Sequence, residues 1–154
     1  MSTPVSLIQR REIEAGIAAS LIKGFMREFG DEKALETATK VIESLALEAG
    51  RQVAEKYGRN TLLDLGKVVR EFWAQDGALE VEFLEESESV LRFNVRRCRY
   101  SETYESMGIR DIGFCLSCSR DAKFAAGFNP EIKMERTQTI MQGAEFCDFC
   151  FRQS

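Results

Sequence analysis

The stretch GALEVEFLEESESVLRFNVRR, residues 77–97, decides the fold. Leu79, Val81 and Phe83 alternate with Glu80 and Glu82, and Leu91, Phe93 and Val95 alternate with Arg92, Asn94 and Arg96. A period of two sends successive side chains to opposite faces of a strand, so this stretch predicts an antiparallel hairpin with one apolar face. The outer face of the first strand is acidic and that of the second basic. Cross-strand ion pairs therefore account for the cluster Arg92, Arg96, Arg97 and Arg99 without a phosphate-binding role.

Before Gly77 the period is helical. Ile13, Ile17, Leu21, Ile22, Phe25, Met26 and Phe29 recur at the spacing that stacks side chains on one helix face, and Gly30 can end that helix. Asp31 suits the N-cap of a second helix, whose Leu35, Ala38, Ile42, Leu45, Ala49 and Val53 repeat the pattern up to Gly58. Thr61 with Asp64 reads as a capping box opening a third helix that runs through Trp73. The apolar face of the first helix is expected in the core, with an interface to a second copy as the alternative.

After the hairpin, Ser101 is expected to cap a short helix ending at Gly108, and Asp111 another running to about Gly127. Residues 132–140 and 146–152 alternate again. The whole predicts a single α+β domain over residues 1–154: a helical half (11–75), then a mainly antiparallel sheet with two short helices (78–154).

Composition narrows the function. The chain has 154 residues, a net charge of -4 and no histidine. That charge disfavours nucleic acid or an anionic membrane as partner, since both need a concentrated basic surface. No apolar run approaches the roughly 20 residues of a membrane span, and MSTPVSLIQRR lacks the apolar core of a signal peptide, so a cytoplasmic protein is expected. Its five cysteines are then mostly reduced thiols. Without histidine, Ser-His-Asp and Cys-His catalysis are excluded. Any acid or base must be a carboxylate, lysine, tyrosine, cysteine or water.

Two CxxC pairs stand out, CLSCSRD (115–121) and CDFC (147–150). If the first opens a helix, Cys115 and Cys118 share one side with Asp121 beside Cys118, and the positive helix end favours a thiolate. Small core residues are the plainer reading. A four-cysteine zinc site is disfavoured because Cys147 and Cys150, three apart in a strand, point to opposite faces. Cys98, Cys118 and Cys147 from three elements stay open as an alternative zinc set; no cofactor is expected.

In IKMERTQTI (132–140), Arg136 and Gln138 fall on the same strand face as Ile132 and Met134. A buried guanidinium requires a counter-charge. Either an internal carboxylate (Asp121, Asp148 or a glutamate) supplies it, or Arg136 grips an anionic ligand with help from Gln138. Cys147, Phe149 and Phe151 are expected to face the same interior.

The segments CRYSETYESMG (98–108), CLSCSRDAKFAAGFNPEI (115–132) and RTQTIMQGAEFCDF (136–149), with their spacings, resemble the L-2-amino-thiazoline-4-carboxylic acid hydrolase family from about residue 60 onward. The resemblance implies opening of a cyclic isothiourea carboxylate to S-carbamoyl-cysteine. It places the family's pattern on Cys98, Tyr100, Cys118, Asp121, Arg136, Gln138, Thr139, Gly143 and Cys147, with Cys115 and Cys150 outside it. Similar sequences often carry a basic residue where Cys150 stands. In the implied chemistry, Cys118 attacks or orients water, Asp121 holds the amidinium or moves the proton, and Arg136 with Gln138 binds the carboxylate. Tyr100, Cys98 and Cys147 would line the pocket. The expected partner is a small-molecule carboxylate. The competing class is a non-catalytic sensor or ligand carrier that uses the same cysteine-lined pocket.

Overall fold

A computed structural model describes residues 4–153. Ser6 and Gln9 form a capping box that starts α1 (Leu7–Phe29). Gly30, at φ 89°, closes α1 and is also the cap before α2 (Asp31–Tyr57), so Asp31 is the first helical residue and not the cap. Gly58 ends α2 in the left-handed conformation that glycine adopts without steric cost. The Thr61–Asp64 capping box opens α3 (Leu62–Val68) as expected, and the chain continues through a π-helical turn, Val69–Trp73.

Next come β1 (Leu79–Glu86), β2 (Val90–Cys98), α4 (Arg99–Ser106), a 3-10 turn (Arg110–Ile112), a second π-helical turn (Phe114–Cys118) and α5 (Arg120–Phe128). Strands β3 (Ile132–Glu135) and β4 (Cys147–Gln153) complete a four-stranded antiparallel sheet in the order β1-β2-β4-β3. The architecture is the expected α+β domain.

The hairpin's charges pair as the sequence implied. Arg96 meets Glu82 at 2.7 Å, Arg92 meets Glu85 at 3.8 Å and Arg97 meets Glu80 at 3.7 Å. Arg99 instead donates to the carbonyl of Asp76.

Three expectations need correction. Most of the large apolar residues of α1 are not core: Ile13 is 71% exposed, Ile17 70% and Phe29 62%, and Leu21 and Phe25 are also exposed. The buried face is Ala15, Ala19 and Ile22, because small side chains let α1 approach α2 and α4 closely. Ser101 does not cap α4. It lies inside the helix, donating its hydroxyl to the Cys98 carbonyl. The single helix expected from Asp111 is three pieces, so CLSCSRD lies in a π turn followed by the start of α5.

Two apolar clusters fill the interior. One joins α3 and α5 to the inner sheet face, where Phe93 and Phe149 stack with ring centroids 4.8 Å apart. The other joins α1, α2, α4 and the second π turn, and includes Cys115. Gly50 of α2 lies against the backbone at Phe124 and Phe128, and Gly127 of α5 lies against the Leu47 carbonyl, so α2 and α5 meet backbone to backbone. That contact seats the C-terminal half of α5 against α2.

Candidate active site: a cysteine-lined cavity

A cavity of about 410 Å³ opens between the two clusters, and every element near it contributes few but specific residues. It lies in the size range of small-molecule sites. Both π turns end at its wall: the first delivers Phe72 and Trp73, the second Ser117 and Cys118. A π turn is wider than an α turn and rotates residues three apart away from each other. Cys115 therefore points to the helical cluster, where its sulfur accepts a hydrogen bond from Thr39 at 3.3 Å, while Cys118 lines the cavity. The two do not act as a pair.

Cys98 reaches the cavity from the end of β2, Tyr100 from the first turn of α4, and Cys147 from the start of β4. The regular β4 ladder buries Cys147 and turns Cys150 to the other face beside Arg92 and Glu135, so neither CxxC is a unit. All five cysteines are free thiols. Although Cys98, Cys118 and Cys147 converge, among the described residues no group of three or more Cys, Asp or Glu side chains is placed to hold a metal ion.

Arg136 reaches the cavity by a route the alternation did not foresee. The strand expected through residue 140 stops at Glu135, because the Asp148 carboxylate accepts from the backbone N–H groups of Thr137 and Gln138 and from the Thr137 hydroxyl. The chain is pulled out of the ladder, and Arg136 turns inward. Its Nη1 donates to Asp121 Oδ2 at 2.6 Å and its Nη2 to the Cys118 carbonyl at 3.2 Å, with the Phe149 ring 5.0 Å from its guanidinium carbon. The Arg136 side chain is 7% exposed and that of Asp121 21%, so the carboxylate is the partner nearer the open cavity. The internal counter-charge is Asp121. Gln138 does not line the cavity; its amide donates to the Phe146 carbonyl at 2.9 Å, and Thr139 stands at the wall instead. Gly143, at φ 103°, closes the 3-10 turn that Thr139 caps.

Electrostatics change the expected role of the thiols. Burial, and next the Asp121 charge, push the Cys118 thiol far above the ordinary range. Burial likewise raises Cys98 and pushes Cys147 up to about 11. Cys118 ends the second π turn, directly before Ser119, the cap of α5. Burial also raises the Asp121 carboxyl, against the opposing pull of Arg136. The Tyr100 phenol is raised by burial and donates to the Trp73 carbonyl at 2.9 Å.

The thiol shift is measurable. Iodoacetamide alkylation of Cys147 is expected to keep accelerating tenfold per pH unit up to about pH 11, whereas a cysteine peptide levels off near its ordinary value, about 8.5. The matching stability term is present below that ordinary value and is lost as pH rises through about 11. A rate plateau near pH 8.5 would contradict the buried, protonated thiol.

Two arginines largely withdrawn from solvent at the cavity wall are not marked by any motif in the sequence. Arg11 from α1 and Arg120 from the start of α5 both line the wall. Their signal was in plain view, as the Arg10–Arg11 doublet and as the residue directly before Asp121, but surface helices carry many such arginines.

A family model for L-2-amino-thiazoline-4-carboxylic acid hydrolase matches residues 10–151. Among curated proteins, none matches the chain. Of solved structures, one similar fold is trafficking protein particle complex subunit 3 from Naegleria fowleri, covalently bound to palmitic acid. Its TM-score is 0.56 at 10% identity, covering 94% of this chain and 95% of that one. Another is the phenol-responsive sensory domain of the transcription activator PoxR with phenol, with a TM-score of 0.55 at 12% identity, covering 99% and 77%. At these identities the likeness is one of fold. No helix among the described residues is long and apolar enough to cross a membrane.

Proposed function

Because the chain belongs to the L-2-amino-thiazoline-4-carboxylic acid hydrolase family, we propose that its cavity hydrolyses the ring of a small cyclic amidine carboxylate, L-2-amino-thiazoline-4-carboxylate or a close analogue. The observation that carries this reading is the convergence of Asp121, Cys118, Cys98 and Cys147 on one cavity in which, among the described residues, Asp121 is the only lining carboxylate. With no histidine in the chain, Asp121 is the group suited to move a proton at neutral pH.

Hydrolysis adds water to the amidine carbon. On the ring-protonated amidine, the water oxygen bonds to that carbon as its first proton passes to Asp121 and the C=N π pair settles on the ring nitrogen. The bond from the carbon to that nitrogen then breaks as Asp121 returns the proton to it, and the remaining hydroxyl proton passes to the freed amine as the carbonyl forms. The product of the thiazoline is S-carbamoyl-cysteine. A raised carboxyl serves both halves of this shuttle, since it takes and returns a proton nearer to neutral pH than an ordinary aspartate does. The thiol of Cys118 is protonated, so its role is to orient the water as a weak donor and acceptor, and the covalent version of the chemistry is set aside.

The deciding experiment follows product formation from L-2-amino-thiazoline-4-carboxylate by the purified protein. Turnover that survives Cys118→Ser at a tenth or more of wild type, on the order expected for a hydroxyl replacing a water-orienting thiol, supports this mechanism. No turnover by the wild type sinks the activity. One observation favours a second reading, a ligand-binding module: the cavity walls are rich in Trp73, Phe124, Phe149 and other apolar groups, which suit a bound ring as well as a reacting one. Stoichiometric binding of the thiazoline without product would select that reading.

A further inference from the structure

Arg136 is spoken for. Its charge is matched by Asp121 at 2.6 Å, and an anionic ligand entering there would meet the Asp121 carboxylate first. The cavity's remaining charge lies elsewhere. Among the described residues its lining holds Arg10, Arg11, Lys56, Arg120 and Arg136 against the one carboxylate of Asp121.

Arg11 and Arg120 are the two buried members of that surplus, with side chains 15% and 16% exposed, and they share one counter-ion. Arg11 Nη1 lies 3.0 Å and Arg120 Nη2 3.7 Å from the same oxygen, Oε2 of Glu14, whose side chain is 43% exposed. Arg120 Nε is held by the Leu116 carbonyl at 2.9 Å, which fixes the plane of its guanidinium. Among the described residues every buried polar side-chain atom has a partner, so the guanidinium N–H groups not engaged in these bonds are those with open space before them. Two like charges held together with one shared anion are poised for a second anion. Burial, and next the charge of Arg11, already pull Arg120 below its ordinary range.

We propose that Arg11 and Arg120 form the carboxylate-binding end of the cavity, taking the carboxylate of a small anionic ligand while Arg136 stays paired with Asp121. This rests on the reading that the cavity takes a small carboxylate, and it moves the anchor from Arg136 to the neighbouring pair contributed by α1 and the start of α5. The ligand then has its carboxylate at Arg11 and Arg120 and its ring toward Cys118 and the carboxylate of Asp121. Arg11 and Arg120 set specificity for an acid over a neutral ring.

The test is binding, read independently of turnover from the emission of Trp73, the single tryptophan and itself a lining residue. The probes are thiophene-2-carboxylate and thiophene-2-carboxamide, which share a sulfur-containing five-membered ring and contain no amidine to hydrolyse. Wild type is expected to prefer the carboxylate by about 10- to 100-fold, the span of a charge-assisted hydrogen bond or two. Arg120→Gln and Arg11→Gln should each lose most of that preference, and Arg120→Lys should restore part of it. Equal affinity of the wild type for the two probes, no binding of either, or a preference that survives both glutamine variants would overturn the assignment. A thermal unfolding transition and far-UV circular dichroism like those of wild type certify that a variant is folded; should Arg120→Gln not fold, Arg11→Gln and Arg120→Lys carry the test. A protein that shows the carboxylate preference but does not turn over the thiazoline would lose the hydrolase reading and keep the anchor.

Discussion

Asp121→Asn is expected to lower kcat for ring opening about 10²- to 10⁴-fold, the usual contribution of a positioned acid–base group. Asparagine keeps the size of the side chain and still accepts a hydrogen bond from Arg136, but it cannot carry the proton. The substitution also leaves the Arg136 charge, 7% exposed, without its counter-charge, so the variant should lose up to about 3 kcal/mol of stability. The two effects separate by pH. Burial raises the Asp121 carboxyl in the folded protein, so its protonated form is preferred there. The corresponding stability is fully present below the carboxyl's unfolded value, about 3.9, and is lost as pH rises through the raised folded value. Wild-type kcat/KM should climb over the same interval, as the carboxylate becomes available to accept a proton. The asparagine variant should lose both dependences. Steady-state rates and thermal midpoints across that interval measure them, and a variant that kept more than about a tenth of wild-type turnover would remove Asp121 as the proton carrier.

Gly127→Ala should be the most damaging substitution of a single hydrogen by a methyl group. A Cβ at this position would overlap the Leu47 carbonyl of α2, and backbone cannot move aside as a flexible side chain can. Gly50→Ala would collide with Phe124 and Phe128 backbone from the other side of the same crossing. Each is expected to cost about 3 kcal/mol or more, at or above the upper end for overpacking. The consequence reaches the cavity, because α5 carries Arg120 and Asp121 on its first turn and loses its seat when the crossing opens. Gly16→Ala supplies the contrast. That residue lies on an exposed stretch of α1 with nothing near the added methyl, so it should gain about 0.5–1 kcal/mol from helix propensity. Denaturant unfolding of the three variants checks the order; a Gly127→Ala protein as stable as wild type would mean that α2 and α5 do not meet as described.

Most of the scaffold was legible in local chemistry. The switch of period at Gly77, the Thr61–Asp64 box, the glycines at 30 and 58 and the opposed charges of the hairpin each act over a few residues, so the sequence carries them directly. The candidate site was legible in part. Cys98, Tyr100, Cys118, Asp121, Arg136 and Cys147 do line one cavity, while Gln138 is spent on the Phe146 carbonyl.

What local pattern could not supply was any quantity set by a distant neighbour. Periodicity showed that α1 has an apolar stripe, but Ala15 and Ala19, not Ile13 and Ile17, meet α2 and α4, because close approach of helices selects small side chains. Alternation carried β3 to residue 140, but Asp148 captured two backbone N–H groups and ended it at Glu135. A helical spacing put Cys115 and Cys118 side by side, and a π turn parted them. The sequence by itself determined the order of helices and strands and the residue types available for chemistry, since these follow from short-range period, capping and charge. Only the tertiary structure decided which thiols burial raises, that Arg136 is paired with Asp121 and that Arg11 and Arg120 share Glu14, because desolvation and ion pairing depend on groups that the fold brings together from far along the chain.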